Sequence, residues 1–313
     1  VGLLMLVVLM HVPYRTYQQP VVIWSALAAV ALALVAVMFA DVRNNTHRWF
    51  SVAGITIQPS EFAKLAIVLY VADLLARRLE RINDVQQVLM PIAGVAGVLV
   101  GLIVIEPDFG TGFMVLLIAA VMIFAAGLSY RYLGWVAAVA TPALGLILSL
   151  AAYRTRRVEG WLDPWGNADG SGFQVVQSLL AVGTGGWTGR GLMNGIQKLF
   201  YLPEPHSDFI YAVIAEELGW VGATMIALAY MVIAWRGLHV AATTHDRFGA
   251  FLALGITVAI AVQALVNISV VIGLLPTKGI PLPFISAGGS SLLVSLVGMG
   301  ILLNVSQHSS GAA

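Results

Sequence analysis

"GVAGVLVGLIVIEPDFGTGFMVLLIAAVMIFAAG", residues 94 to 127, decides what kind of fold this chain has. Two apolar runs flank a short turn that carries two carboxylates, Glu106 and Asp108. A helix needs roughly 20 apolar residues to cross a bilayer's hydrocarbon core; the second run is of that order, and the first reaches it when followed back to about residue 88. Asp108 is placed to cap the second helix through its side-chain oxygen. The same pattern recurs along the chain, with spans predicted at about 1 to 11, 20 to 41, 60 to 78, 88 to 105, 110 to 128, 132 to 152, 209 to 235, 247 to 274 and 288 to 305. The expected fold class is therefore an all-α polytopic membrane protein with nine transmembrane helices in this chain.

Composition agrees. The chain is 59% hydrophobic and 10% charged, with a mean hydropathy of +0.91, whereas soluble domains carry about a quarter charged residues. No Lys/Arg run stands clear of the apolar segments, so the net charge of +1 gives no footing for nucleic acid. With no cysteine, disulfides, thiolate nucleophiles and thiolate metal sites are excluded. Carboxylates, imidazoles, hydroxyls and amines remain for chemistry.

Basic residues in short loops set the orientation. With the C-terminus cytoplasmic, the inner loops hold seven (Arg15, Arg77, Arg78, Arg81, Arg131, Arg236, Arg247) and the short outer loops three (Arg43, Arg48, Lys278). The expected organisation is one transmembrane domain over 1–313, with a large extracytoplasmic loop at 153–208. Loops longer than about 15 residues are usually functional or disordered, and this one is rich in Gly and Trp. Within it, "GFQVVQSLLAVGTGGWTGRG" predicts a short amphipathic helix at the interface followed by glycines.

Four outer clusters hold polar residues that an apolar chain must justify. In "RWFSVAGITIQPSEFAKL", residues 48 to 65, Glu61 and Lys64 share a helix face after Pro59. They form either a packing ion pair or, with Arg48, part of an anion site, because charge inside a span is costly. Trp49 reads equally as an interface anchor. The turn "EPDFGTG" is the second cluster. "LLPTKGIPLPFISAGGSSLL", residues 274 to 293, cannot be regular helix, and irregular backbone at membrane depth survives only against protein or a wet cavity. Its "GGSS", with Ser290, precedes a helix and resembles a weak anion-binding start.

The fourth cluster is "LPEPHSDFIYAVIAEELG", residues 202 to 219. Asp208 stands at the mouth of an apolar span after Pro203, Pro205 and His206, where a capping role is open to it. Glu216 and Glu217 fall two to three turns further in. On a continuous helix they would point to different sides, so at least one must face protein and find a partner.

In order along the chain, "RWFSVAGITIQPSEFAKL", "EPDFGTG", "LDPWGNADGSGFQVVQSLLAVGTGGWTGRGL", "LPEPHSDFIYAVIAEELGWVGA" and "GLLPTKGIPLPFISAGGSSLL" resemble the SEDS family (shape, elongation, division and sporulation). "LPTKG" before "PLPFIS" is more similar to the division-type FtsW branch than to the elongation-type RodA branch. The resemblance implies ten transmembrane helices, the first preceding Val1. It implies a peptidoglycan glycosyltransferase that polymerises lipid II on the outer face of the bacterial cytoplasmic membrane, in cell division or elongation. The partners implied are a class B penicillin-binding protein transpeptidase and other divisome or elongasome membrane proteins. Asp208 matches the family's essential aspartate, Glu61 and Lys64 its "QPSE-x-x-K" positions, and Arg48 and Trp49 the preceding "RW". Ala287 departs from the family's usual Tyr.

The chemistry needs a base and a cationic clamp while undecaprenyl pyrophosphate leaves an inverting centre. Asp208 is the expected catalytic residue, as general base or as ligand to a divalent cation, Mg2+ or Mn2+. Arg48, Lys64, Arg190, Lys198 and Lys278 are the cationic candidates, with Trp49, Glu61, His206 and Ser290 completing the substrate-binding set. Two competing classes are a lipid II flippase, which also uses broken helices and intramembrane carboxylates, and a non-catalytic scaffold that activates the transpeptidase.

Overall fold

The structure is a computed structural model that describes residues 1–40, 48–52, 55–132, 134, 138 and 152–309. Its helices are α1 (Gly2–His11), α2 (Pro20–Val37), α3 (Pro59–Arg78), α4 (Met90–Ile105), α5 (Phe109–Ala125), α6 (Ala152–Leu162), α7 (Phe173–Gly185), α8 (Gln197–Phe200), α9 (Ile210–Thr243), α10 (Arg247–Val271) and α11 (Gly289–Ser309). Eight predicted spans coincide with α1 to α5 and α9 to α11. The predicted span at 132 to 152 lies largely outside the described residues, as does Arg43. Among the described residues, five stretches are both long and apolar enough to cross a membrane: α2, Val85–Ile105, α9, α10 and α11. The shorter α1 and α5 are apolar too. Helix α3 has the length, 20 residues, but carries Glu61, Lys64, Asp73, Arg77 and Arg78. The chain is a multi-pass membrane protein.

The described residues fall into two compact units. The first comprises Val1–Leu128, Val232–Val262 and Gly288–Ala313. Its centre is α3, which starts with Pro59 at the first helical position, where the missing N–H does no harm. Helix α3 packs against α2, α5 and α11, and α1 lies along α11. Along α3 Ala63, Ile67, Val71 and Leu75 are buried at four-residue intervals, and Ala66, Val68, Tyr70 and Ala72 are buried beside them, so the helix is enclosed on most of its circumference. A small antiparallel hairpin, β1 (Phe50–Val52) and β2 (Ile55–Ile57), precedes α3, with Phe50 opposite Ile57. At the other end of α11, Asn304 accepts from the Tyr14 amide at 2.9 Å and donates to the Met10 carbonyl at 2.8 Å.

The second unit comprises Ser129–Met231 and Gln263–Ala287. Here the expected long loop contains three helical pieces, α6, α7 and α8, rather than one. Helix α7 ends at Gly185 and is followed by the positive-φ glycines Gly186, Gly189 and Gly191, as the glycine run predicts. On α9 Trp220, Met225, Leu228 and Met231 are exposed, the pattern of a helix whose outer surface meets acyl chains.

Candidate functional site

Within the second unit, residues 275 to 287 run without a helix, yet their backbone groups are answered by side chains. Gln263 Nε2 donates to the Pro281 carbonyl at 2.8 Å, Asn267 Nδ2 to the Ile280 carbonyl at 2.7 Å, and the Tyr230 hydroxyl to the Pro283 carbonyl. Ser286 Oγ accepts from the Leu282 amide at 2.7 Å and donates to the Ser207 carbonyl. The irregular path survives because every one of these groups is satisfied by protein.

That segment meets the stretch leading into α9. The Ala287 amide donates to the His206 carbonyl at 2.8 Å. Asn267 Nδ2 also donates to the Asp208 carbonyl at 2.8 Å, so one amide group ties Asp208 and Ile280 together. The Asp208 carboxylate then lies directly over Gly279: a Cβ added there would come 2.8 Å from Oδ2. Asp208 is half-buried, and Ser207 Oγ donates to its Oδ1 at 3.3 Å. Lys278 is the adjacent residue and is half-buried as well. Burial, and then the charge of Arg157, lower its pKa below the ordinary lysine value. The structure thus gathers Asp208, His206 and Lys278 from the predicted set.

Two other predicted cations sit elsewhere in this unit. Helix α9 is broken at Gly219 (φ 68°, ψ −168°), and the glycine-rich turn 186–191 fills the break. The Trp220 amide donates to the Gly186 carbonyl at 2.8 Å, and the Arg190 and Gly191 amides donate to the Glu216 and Glu217 carbonyls, both at 3.0 Å. Glu216 and Glu217 lie on the last turn before the break, about 100° apart. Both reach the same loop, residues 190 to 198, and both find protein partners there. Glu216 accepts from the Ile196 amide at 2.9 Å and pairs with Arg190 at 3.7 Å; Glu217 accepts from the Met193 amide at 3.0 Å and pairs with Lys198. Arg190 and Lys198 therefore neutralise buried carboxylates that anchor the loop.

The remaining candidates belong to the first unit. Glu61 and Lys64 form a 2.8 Å ion pair with side chains only 4% and 5% exposed. Asp108 accepts from Gln58 Nε2 at 2.8 Å, Ser60 Oγ at 2.9 Å and the Thr111 amide at 3.2 Å, the last being the predicted cap on α5. Arg48 donates to the Glu106 carbonyl at 2.9 Å and to the Pro107 carbonyl, clamping the turn by its backbone. Ser290 Oγ accepts from the Gln58 amide at 2.8 Å and donates to the Thr56 carbonyl at 3.2 Å, a tie between α11 and the hairpin. Trp49 is half-buried. Glu106 is 1% exposed, and among the described residues neither of its carboxyl oxygens has a hydrogen-bond partner. Burial, reinforced by Asp108 and opposed by Arg48, pushes its pKa up to about 8.

Sequence reasoning missed Asn267, Gly279 and Arg157. Asn267 reads as one polar residue in an apolar helix, and an intramembrane amide is itself a signal. Gly279 and Arg157 carry none, because only the chain path brings them to Asp208 and Lys278. Among the described residues, no three of His, Asp and Glu gather to cage a metal. Mg2+ is commonly held by one or two carboxylates together with substrate phosphates, and Asp208 fits that lesser demand.

Three comparisons bear on this arrangement. A family model for FtsW, RodA and SpoVE, described as "Cell cycle protein", matches residues 1–311. A probable peptidoglycan glycosyltransferase FtsW of Geobacter sp. (strain M18) is 41% identical over 314 residues, covering 100% of this chain and 86% of that protein. Stage V sporulation protein E of Bacillus subtilis (strain 168) is 41% identical over 315 residues, covering 99% and 85%. Among solved structures, a chain from work on the coordination of polymerization and crosslinking by a peptidoglycan synthase complex superposes with a TM-score of 0.82 at 29% identity, covering 99% of this chain and 87% of that one. The crystal structure of the rod shape determining protein RodA of Thermus thermophilus gives 0.70 at 26% identity, covering 99% and 85%.

Proposed function

Because this chain belongs to the FtsW/RodA/SpoVE family of cell cycle proteins, we propose that it is a peptidoglycan glycosyltransferase that joins lipid II units into glycan strands. It works on the outer face of the bacterial cytoplasmic membrane beside a class B penicillin-binding protein. The observation that carries this reading is the seat of Asp208. Its carboxylate is fixed over Gly279, its backbone is held by Asn267, and Lys278 is the next residue along.

In the reaction the Asp208 carboxylate takes the proton of the acceptor sugar hydroxyl as that oxygen attacks the donor's anomeric carbon. The bond from that carbon to the diphosphate breaks on the opposite face, so configuration inverts. Lys278 meets the negative charge that builds on the departing diphosphate. A positioned base is worth roughly 10² to 10⁴-fold, and a fixed cation at the leaving group adds electrostatic stabilisation that water would screen. A divalent cation held by Asp208 and the substrate's own phosphate oxygens would supply further neutralisation of the leaving group.

The reading is tested with purified protein in detergent, with its partner and lipid II. Glycan strands on a gel support an enzyme, because flipping needs a membrane barrier and a scaffold makes no polymer. Polymerisation by Asp208→Asn at the unmodified rate would overturn the role given to Asp208.

A further inference from the structure

Thr277 to Ile280, four consecutive residues of the second unit, collect three charged groups. Arg157 Nη1, from α6, donates to the Thr277 carbonyl at 3.1 Å. Lys278 follows, close enough for the Arg157 charge to act on it. The Asp208 carboxylate rests on Gly279, and Asn267 bonds both Ile280 and Asp208. Helix α6 is held a second time four residues before that strip, since Trp161 Nε1 donates to the Gly273 carbonyl at 2.9 Å. Arg157 is thus positioned by backbone contacts on a rigid helix rather than waving in a loop.

Ionised, Arg157, Lys278 and Asp208 sum to one positive charge. Two cations set side by side repel, and the repulsion grows where water is excluded. An anion with at least two charges turns that repulsion into attraction, and the guanidinium fork suits phosphate oxygens bidentately. We infer that Arg157 and Lys278 together form a clamp for the diphosphate of a lipid-linked sugar, Arg157 supplying the fork and Lys278 the point charge. The inference rests on the glycosyltransferase reading and deepens it. It adds Arg157 to the site and leaves Arg190 and Lys198 to the loop anchor.

The test is equilibrium binding of undecaprenyl diphosphate and of inorganic pyrophosphate to the detergent-solubilised full chain, with thermal unfolding as a check on folding. Arg157→Gln and Lys278→Gln are each expected to weaken binding by roughly 10- to 100-fold, the range for a charge-assisted contact. Arg157→Lys keeps charge but loses the fork, and is expected to bind several-fold weaker. Asp208→Asn removes a repelling charge and is expected to bind more tightly. Arg156→Gln, on the neighbouring exposed residue of α6, is expected to bind as the unmodified protein does. Folded Arg157→Gln and Lys278→Gln proteins that bind as tightly as the unmodified chain would overturn the clamp. So would equal displacement of the probe by phosphatidylglycerol, which would mean a general anionic-lipid site. Binding lost in both variants of a protein that makes no glycan from lipid II upholds the clamp and sinks the glycosyltransferase reading instead.

Discussion

Gly219 and Gly189 meet backbone to backbone: a Cβ on Gly219 would fall 2.3 Å from the Gly189 nitrogen, and one on Gly189 would fall 2.1 Å from the Glu217 carbonyl oxygen. Both have positive φ, 68° and 78°. The break in α9 and the loop that fills it therefore require each other.

Gly219→Ala combines a left-handed φ, worth roughly 1 to 2 kcal/mol against any residue with a Cβ, with a clash against backbone that cannot swing away. The expected loss exceeds about 3 kcal/mol. Thermal unfolding in detergent should show a drop in Tm of several degrees or no folded protein. An unchanged Tm would mean that the two segments separate freely.

Gly279→Ala places a methyl group against Asp208 Oδ2, at a residue where φ is not positive. The expected outcome is a folded protein whose lipid II polymerisation falls roughly 10-fold or more, since small displacements of a catalytic group are expensive. Asp208→Asn should fall further, by about 10² to 10⁴-fold. A Gly279→Ala protein as active as the unmodified one would show that this contact does not orient the carboxylate.

The Glu61–Lys64 pair is almost dry. Removing one partner leaves an uncompensated buried charge and should cost about 3 to 5 kcal/mol, whereas replacing both with apolar residues of similar size should be close to neutral for stability. Lys64→Met alone is therefore expected to unfold at a lower temperature than Glu61→Leu with Lys64→Met. If the double variant keeps its Tm but loses polymerisation, the pair serves substrate; if it keeps both, the pair serves packing.

Glu106 predicts a pH dependence. Its folded pKa, about 8, lies above the unfolded carboxyl value near 4.3. Between those two pH values the native state holds a proton that the unfolded chain has released, so this group lowers stability progressively from about pH 4 to pH 8. Glu106→Gln removes the penalty. Its Tm advantage over the unmodified protein should be absent near pH 4 and largest above pH 8, measured by thermal unfolding across that range. An advantage constant with pH would mean that Glu106 is ionised throughout.

Much of this was legible from residues 94–127 and their repeats. Apolar runs of spanning length need no tertiary information, because in hydrocarbon a lone segment must satisfy its own backbone and only a helix does so. The cap of Asp108 on α5, the pairing of Glu61 with Lys64 and the halting of helix before Pro276 are local too, set by neighbours within a turn or two. The ordered motifs also carried the family and the choice of Asp208.

What surrounds Asp208 was decided by folding alone. The sequence required only that at least one of Glu216 and Glu217 face protein, and the loop folded against α9 beside Gly219 gives both of them partners. Arg157 and Lys278 are 121 positions apart in the chain, and no periodicity relates them. They meet because side chains on α6, α9 and α10 bind the carbonyls of an irregular segment, and that pairing depends on which groups the folded chain leaves unsatisfied. Sequence fixes which segments become helices; the demand that every buried polar group find a partner fixes where the charged residues between them come to rest.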